Sequence, residues 1–267
     1  MAKTLRLFFM FFFFMIPLPA VYAADEGKPA AEPALRVGTT PDYPPLIFKK
    51  DGKYEGIEAE LAALLSKELG RKIVFVDLPM DSIFSVLQDG KVDIIMSGIS
   101  VTWERQKLAR FLFPFMTINQ MAVVRKDMES HFESPESIYN TNRKVGFGKG
   151  TTGELLVREN MKNAQGIAFS SPDEALSALN KKEIDLFIYD SPYIWNFFNE
   201  KKDSELTGLF WPLTEEDLAW AVRQSDTELA DRVNNIVVKW KRNGTTAKII
   251  HKWIRVKRTI VASGDVT

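Results

Sequence analysis

A ten-residue stretch, Met-Ser-Gly-Ile-Ser-Val-Thr-Trp-Glu-Arg at positions 96–105, contains the residue types of an anion-binding site. The β-branched apolar run before it, 92–96, predicts a buried strand, and the polar turn after Gly98 leads into a helix-like segment. Gly98 lets a ligand approach the backbone, Ser100 offers hydroxyl and amide donors, and Arg105 can form two parallel hydrogen bonds with a carboxylate. The alternative is an ordinary strand-to-helix junction with a solvated arginine.

A second set of polar residues follows a repeat of this pattern. The spacing of 87–94 recurs at 179–186, because in each copy a leucine ends a helix and an aspartate follows six residues later inside a strand. The repeated strand ends at Asp190, and the glycine-rich loop 148–153 precedes another helix. Such an echo predicts two α/β lobes of similar design.

The two sets together suit a zwitterion. Arg105 and the amides at two helix starts, one of them at Thr151 and Thr152, can bind a carboxylate, and Asp190 can bind an ammonium group. An α-amino acid carries both groups. The alternative for Asp190 is a helix cap before Ser191, the usual role of an aspartate in that position.

The elements that must position these residues alternate between strands and helices, which predicts right-handed βαβ units on mostly parallel sheets. Helices are predicted at 56–69, 154–163, 227–242 and 245–254, with a short one capped by Asp81. Extended crossings at 111–125 and 213–223 imply a hinge between two lobes, and ligands bind beyond the carboxyl ends of such strands. We therefore expect the two sets of polar residues to face each other across a cleft.

Composition narrows the function classes. The 267 residues are 45% hydrophobic with a formal net charge of zero, which predicts a globular protein and gives no indication of nucleic-acid binding. The chain has no cysteine and only two histidines, His131 and His251, both in charged segments. Thiolate metal sites, cysteine nucleophiles and histidine-based sites are therefore not expected. We predict that no cofactor is bound.

The first residues have the layout of a secretory signal peptide. Lys3 and Arg6 precede an apolar block at 7–16, and a small-residue cleavage site ends at Ala23. Cleavage there predicts export to the periplasm, and the lack of cysteine argues against a lipoprotein. An uncleaved signal anchor is the alternative. The predicted divisions are a signal peptide at 1–23, a flexible leader at 24–34, lobe 1 at 35–116 plus 218–257, lobe 2 at 117–217 and a tail at 258–267.

Further motifs recur in order along the chain. They are Gly38-Thr39-Thr40-Pro41-Asp42-Tyr43-Pro44-Pro45, Gly56-Ile57-Glu58-Ala59-Glu60-Leu61, and the stretches 87–93, 96–105 and 148–152, followed by Asp190. Over about 35–256 this series resembles the bacterial family 3 solute-binding proteins, periplasmic receptors of polar amino-acid ABC importers, including the glutamine- and lysine/arginine/ornithine-binding members.

The resemblance implies an α/β, two-lobe periplasmic binding protein of type II, the Venus flytrap fold. Each lobe would be a mostly parallel sheet flanked by helices, and two hinge crossings would join the lobes. The protein would be a monomer without catalytic activity that delivers an amino acid to the permease of an ABC transporter in the inner membrane.

The resemblance also implies roles for single residues. Arg105 would bind the ligand carboxylate with help from Ser100 and the Thr152 amide. The Gly98 carbonyl and Asp190 would hold the ammonium group, and Tyr43 would cover the ligand. The predicted substrate-binding residues are Thr40, Tyr43, Met80, Ser97, Gly98, Ser100, Arg105, Thr151, Thr152 and Asp190.

Departures from the family pattern bear on specificity. Met80 stands where many relatives place an aromatic ring, Thr40 where the basic-amino-acid receptors carry an acid, and Gly148 where the glutamine receptor has a lysine. The pocket wall is expected to be largely neutral, which favours a neutral or polar amino acid. The expected wall residues are Tyr43, Met80, Phe147 and Tyr189. Alternatively, the carboxylate of Asp42 or Glu58 could point into the pocket and make its wall acidic.

Two other functions are weaker alternatives. The loop 148–153 fits the G-x-G-x-x-G fingerprint of dinucleotide-binding folds, with Asp173 about 20 residues further on. A lone fingerprint is weak evidence, since the same loop serves equally well as a carboxylate-binding helix start. A sensing domain of a receptor would need a transmembrane helix after Ile254, and none is expected.

The stronger alternative is an enzyme on the same scaffold. Periplasmic cyclohexadienyl dehydratases, which act on prephenate or arogenate, are similar in the Met-Ser-Gly-Ile-Ser stretch and in Glu104-Arg105-Gln106. A dehydratase needs a general acid beside its carboxylate-binding groups. Glu154 is the one candidate acid, and we expect it to stabilise the start of its helix instead.

Overall fold

The computed structural model describes residues 32–254 of the chain. The predicted signal peptide at 1–23 and the tail at 258–267 lie outside the described residues. The strands are β1 (Leu35–Thr39), β2 (Asp42–Tyr43), β3 (Ile47–Lys50), β4 (Lys53–Glu55), β5 (Ile73–Asp77), β6 (Ile94–Ile95), β7 (Arg110–Phe111), β8 (Met116–Ile118), β9 (Gln120–Arg125), β10 (Lys144–Gly148), β11 (Gln165–Phe169), β12 (Leu186–Asp190), β13 (Leu206–Leu209), β14 (Glu216–Leu218) and β15 (Ala221–Val222). The helices are α1 (Ile57–Leu69), α2 (Ile83–Gln88), α3 (Trp103–Leu108), α4 (Pro135–Tyr139), α5 (Thr152–Asn160), α6 (Pro172–Asn180), α7 (Ser191–Glu200), α8 (Thr227–Arg242) and α9 (Thr245–Trp253), with a 3-10 helix at Lys126–His131.

Two five-stranded sheets organise the chain. The first has the order β5-β1-β6-β15-β7 and the second the order β11-β10-β12-β9-β13. In each sheet three neighbouring strands are parallel, and the next strand, β15 or β9, runs antiparallel to them. The prediction of two α/β units on mostly parallel sheets is confirmed. We call the first sheet with its helices the first lobe and the second sheet with its helices the second lobe.

The two crossings between the lobes lie side by side. Strands β8 and β14 form an antiparallel pair in which Met116 lies opposite Leu218 and Ile118 opposite Glu216. Ser100 forms an additional bridge to Leu218. A narrow two-stranded connection of this kind lets two packed bodies bend about one region, so the crossings have the form of a hinge.

The helices pack their apolar faces against the two sheets. Helix α1 buries Ile57, Leu61 and Leu65 and ends at Gly70, which adopts the left-handed conformation with φ 66°. Helix α8 begins where the Asp226 side chain accepts a hydrogen bond from the Leu229 amide, and it has the predicted bounds. Within the described range, no helix has both the length and the apolar character that crossing a bilayer requires.

Two helix starts differ from the prediction. Asp81 does not cap α2, because Ser82 occupies the cap position and the Asp81 carboxylate forms an ion pair with Lys149 of the second lobe at 2.8 Å. Helix α5 begins two residues earlier than predicted. The Thr151 hydroxyl accepts a hydrogen bond from the Glu154 amide and so acts as the N-terminal cap.

Candidate functional site

Gly98 lies where the first lobe meets the cleft, directly after β6. Its φ is 60°, and a Cβ atom placed there would lie 2.5 Å from Cε1 of Tyr43. The Gly98 amide donates to Glu58 Oε2 at 2.7 Å. Next to it, Ser97 Oγ accepts a hydrogen bond from the Thr40 amide at 2.8 Å. The glycine therefore lets Tyr43 pack against the backbone of the cleft.

The substitution Gly98→Ala should destabilise the protein by about 1–3 kcal/mol and weaken ligand binding, because both φ and the Tyr43 ring oppose a methyl group. Gly70→Ala is the matched control, since Gly70 has φ 66° and open space around its Cβ position. Urea denaturation and calorimetric titration measure the two effects. If both variants keep wild-type ligand affinity, the contact with Tyr43 has no role in binding.

Glu58 lies behind the site rather than in it. It is fully buried and accepts hydrogen bonds from the Gly98 amide and, at 3.0 Å, from Trp220 Nε1. Burial raises the pKa of Glu58 to about 7, and the two donated hydrogen bonds oppose that increase. Glu58 therefore supports the backbone of the site. The other acid that could reach inward, Asp42, lines the cleft.

The pKa of Glu58 makes stability depend on pH. Between the ordinary value of 4.5 and about 7, the folded state keeps a proton that the unfolded state has lost, so the free energy of unfolding falls as pH rises. Urea denaturation between about pH 5 and pH 8 should show this decrease in the wild type. Glu58→Gln cannot titrate and should show a smaller decrease at a lower overall stability. Equal pH dependence in the two proteins would contradict this assignment.

Arg105 is held in the cleft without a carboxylate partner. Its side chain is 9% exposed, and its guanidinium donates to the carbonyl oxygen of Ser100 at 2.9 Å and, in the second lobe, to that of Gly150 at 3.0 Å. Among the ion pairs of residues 32–254, none includes Arg105. Burial lowers the pKa of Arg105, and the charges of Asp190 and Glu216 oppose that change. A buried guanidinium of this kind can donate hydrogen bonds to the carboxylate of a bound ligand.

Asp190 occupies the end of β12 and is 8% exposed. Its carboxylate accepts hydrogen bonds from the Tyr43 hydroxyl of the first lobe and from Gln120 Nε2. Burial and, next, the charge of Glu216 raise the pKa of Asp190 to about 7. Asp190 occupies the N-cap position of α7, as the alternative role requires, but its side chain makes no capping hydrogen bond to the helix.

Glu216 of the hinge strand β14 joins both lobes. Its Oε2 accepts hydrogen bonds from Ser100 Oγ at 2.6 Å and from Thr152 Oγ1 at 2.7 Å, and its Oε1 accepts one from Thr214 at 2.7 Å. Neither Glu216 nor Gln120 was predicted from the sequence as a site residue. Gln120 is fully buried at the start of a strand whose residues are all buried, and that isolated polar position was the available signal.

A cavity of about 40 Å³ lies between the lobes next to these groups. It is lined by Thr40, Asp42, Tyr43, Met80, Ser97, Gly148, Lys149, Thr151, Ser170, Ser171, Pro172 and Tyr189. This volume is well below the several hundred Å³ of a typical ligand pocket. The lobes are closed, because Tyr43 donates to Asp190 and Arg105 to the Gly150 carbonyl oxygen across the cleft. Phe147 was expected in the wall, but its side chain is fully buried in the core of the second lobe because alternate residues of β10 face away from the cleft.

The predicted site residues fall into two groups. Those tied together across the cleft are Tyr43, Ser100, Arg105, Thr152 and Asp190, and those lining the cavity are Thr40, Tyr43, Met80, Ser97 and Thr151, with Gly98 beneath Tyr43. A larger concavity, about 710 Å³, lies between α6 and α7 of the second lobe, and Arg105 and Asp190 line neither it nor the 40 Å³ cavity. In the described part of the chain, no cluster of three or more histidine, aspartate or glutamate side chains is placed to hold a metal ion.

The glycine-rich loop is bonded to its own helix. Glu154 accepts a hydrogen bond from the Gly150 amide at 2.8 Å and pairs with Arg158, so it stabilises the start of α5 as predicted. Asp173, which a dinucleotide site would need for a ribose, accepts a hydrogen bond from Tyr193 at 3.1 Å. The loop therefore behaves as a helix start facing the cleft.

Comparison with known proteins gives concordant matches. The sequence profile of the bacterial extracellular solute-binding proteins, family 3, matches residues 35–256. The L-cystine-binding protein TcyJ of Escherichia coli is 26% identical over 86% of this chain and 87% of its own length. Among solved structures, an ancestral amino acid-binding protein described as a precursor of cyclohexadienyl dehydratase is 36% identical, with a TM-score of 0.76 over 82% of this chain and 95% of its own. An ancestral arginine-binding protein bound to arginine is 30% identical, with a TM-score of 0.78 over 84% of this chain and 99% of its own. The predicted fold, a two-lobe periplasmic binding protein of type II, is confirmed.

Proposed function

Because the chain belongs to the bacterial extracellular solute-binding proteins, family 3, we propose that it captures an amino acid between its two lobes and delivers it to the permease of an ABC importer. The placement of Arg105 and Asp190 on opposite sides of the closed cleft carries the proposal. One is a buried cation without a carboxylate partner, and the other is a buried acid at the end of the facing strand. A zwitterionic ligand complements both, and closure of the cleft strengthens both interactions by excluding water.

The ligand class that we propose is a neutral or polar amino acid. The cavity wall carries hydroxyl groups from Thr40, Ser97 and Ser170, together with the adaptable side chain of Met80. Two charged residues also line the cavity: Lys149, whose charge is paired with Asp81, and Asp42, which is exposed to solvent. The relatives named above bind cystine and arginine, so the family accommodates different side chains in the same fold.

The family, described as extracellular solute-binding proteins, supports a proposal for the cellular setting. We propose export to the periplasm through a signal peptide cleaved after Ala23, without lipid attachment, and action as a monomer that meets its permease at the inner membrane. The lobe boundaries that we propose are 35–116 plus 218–257 for lobe 1 and 117–217 for lobe 2. Nucleic acid is not part of this function.

A thermal-shift screen of residues 24–267 against the twenty amino acids, prephenate and arogenate tests the proposal. Ligand at 100 times its dissociation constant should add roughly 2.7 kcal/mol of stability. A shift with one or a few amino acids and no turnover supports the binding function. A shift confined to prephenate or arogenate, with phenylpyruvate or phenylalanine formed, would instead identify a dehydratase and reject the proposal.

A further inference from the structure

The hinge carboxylate of Glu216 fixes the direction of several hydrogen bonds in the site. A carboxylate can only accept hydrogen bonds, and a hydroxyl group has a single proton to donate. The protons of Ser100 and Thr152 are both directed to Glu216 Oε2. The Thr152 oxygen in turn accepts from Gln120 Nε2 at 3.2 Å, and the same amide group donates to Asp190. The donors and acceptors of this chain of groups are therefore consistently oriented.

This orientation leaves the Ser100 oxygen as an acceptor. Its proton is committed to Glu216, and Ser100 Oγ has no other hydrogen-bond partner among residues 32–254. Ser100 is 2% exposed, and its own carbonyl oxygen accepts a hydrogen bond from Arg105, so the residue lies inside the site. An acceptor in that place suits an ammonium group and does not suit a carboxylate.

The charges in the site also favour a ligand with an ammonium group. Arg105 contributes one positive charge, and the Asp190 and Glu216 carboxylates can contribute two negative ones. A ligand carboxylate without an ammonium group would add a third negative charge to a buried site, whereas a zwitterion would not. Electrostatic discrimination of this kind acts against the wrong ligand as much as in favour of the right one.

We propose that Glu216 is a positioning residue of the ligand site: it holds the protons of Ser100 and Thr152, so that Ser100 accepts a hydrogen bond from the ligand ammonium, and its charge excludes carboxylates that lack one. The proposal rests on the amino-acid-binding function proposed above. It departs from the prediction for Ser100, whose hydroxyl and amide were both expected to donate to the ligand carboxylate, in the role of the hydroxyl alone.

Calorimetric titration with matched ligands tests the proposal. L-glutamine is compared with glutaramic acid, and L-arginine with δ-guanidinovaleric acid, each pair differing only in the ammonium group. The wild type should prefer the amino acid that it binds by about a hundredfold or more, and Glu216→Gln should reduce this preference at least tenfold. Glu215→Gln, which removes an exposed charge next to Glu216, should keep the wild-type preference. An unchanged preference in Glu216→Gln overturns the proposal.

Two further measurements separate positioning from a merely structural role. In Ser100→Ala/Glu216→Gln, the loss of preference should be smaller than the sum of the two single losses, because part of the effect of Glu216 acts through Ser100 and the rest comes from its own charge. Additive losses would contradict the proposal.

The other measurement needs no ligand. Carboxyl-carbon NMR of the ligand-free protein should show Asp190 titrating at lower pH in Glu216→Gln, by about one pH unit, since the Glu216 charge is removed. An unchanged titration overturns the proposal by itself. If the wild type binds none of the twenty amino acids, the proposed function fails, and this titration still judges the coupling between Glu216 and the site.

Discussion

Replacing Arg105 with alanine should weaken amino-acid binding by roughly 30- to 4,000-fold and leave the fold intact. Removing one partner of a buried, hydrogen-bonded charge pair costs about 2–5 kcal/mol of binding free energy. The guanidinium donates to two carbonyl oxygens, one in each lobe, so the variant also loses a contact that forms when the cleft closes. The core should be little affected, because burial of the unpaired cation is itself unfavourable, as its lowered pKa indicates.

Calorimetric titration with the amino acid found in the thermal-shift screen measures this loss. Arg158→Ala is the matched control, since it removes a solvent-exposed arginine whose side chain pairs with Glu154 in the second lobe. The control should bind like the wild type, and both variants should unfold in urea with wild-type cooperativity. An affinity of Arg105→Ala within about threefold of the wild type would reject Arg105 as the carboxylate-binding residue.

The pH dependence of binding should be equally pronounced. In the ligand-free protein the pKa of Asp190 is raised to about 7, whereas a bound ammonium group favours the carboxylate form. Binding therefore requires a deprotonated Asp190 and releases a proton when pH is below about 7. The affinity should fall about tenfold for each pH unit below that value and level off above it.

Titrations in two buffers of different ionisation enthalpy, between about pH 5 and pH 8, measure the released proton directly. Asp190→Asn should bind more weakly at neutral pH and lose most of the pH dependence. Glu58→Gln controls for the other buried acid whose pKa is about 7, and it should keep the pH dependence of binding. If wild-type affinity does not change over this range, Asp190 is not the group that holds the ammonium.

Local sequence patterns predicted the elements that depend on local physics. Helix α8 is an example, because its apolar stripe lies within one segment and the helix has the predicted bounds of 227–242. The polar residues at the ends of β6 and β12 were predictable as well, because ligands bind at the carboxyl ends of parallel strands.

The parts of the site that sequence did not reveal depend on contacts between distant segments. Glu216 lies on the crossing strand β14 and Gln120 at the start of β9, next to the other crossing, and a segment that short has no periodic pattern to show which side chain faces the cleft. Asp81 has the sequence context of a helix cap, yet its carboxylate pairs with Lys149 of the other lobe. Phe147 was misplaced for a related reason, since a strand buried on both faces gives no alternation from which to assign its sides.

The order of strands in the first sheet also has a consequence for how the chain is built during synthesis. The second sheet is complete once residues 120–209 have emerged, because all its strands are contiguous in sequence. The first sheet must wait for β15, which inserts between β6 and β7 from the far end of the chain. A nascent chain that has not yet reached residue 221 therefore leaves backbone donors and acceptors of β6 and β7 unpaired, a template for incorrect pairing with other chains. Strand β15 thus protects β6 and β7 from aggregation, and truncation before β15 should yield insoluble protein even with the second lobe intact.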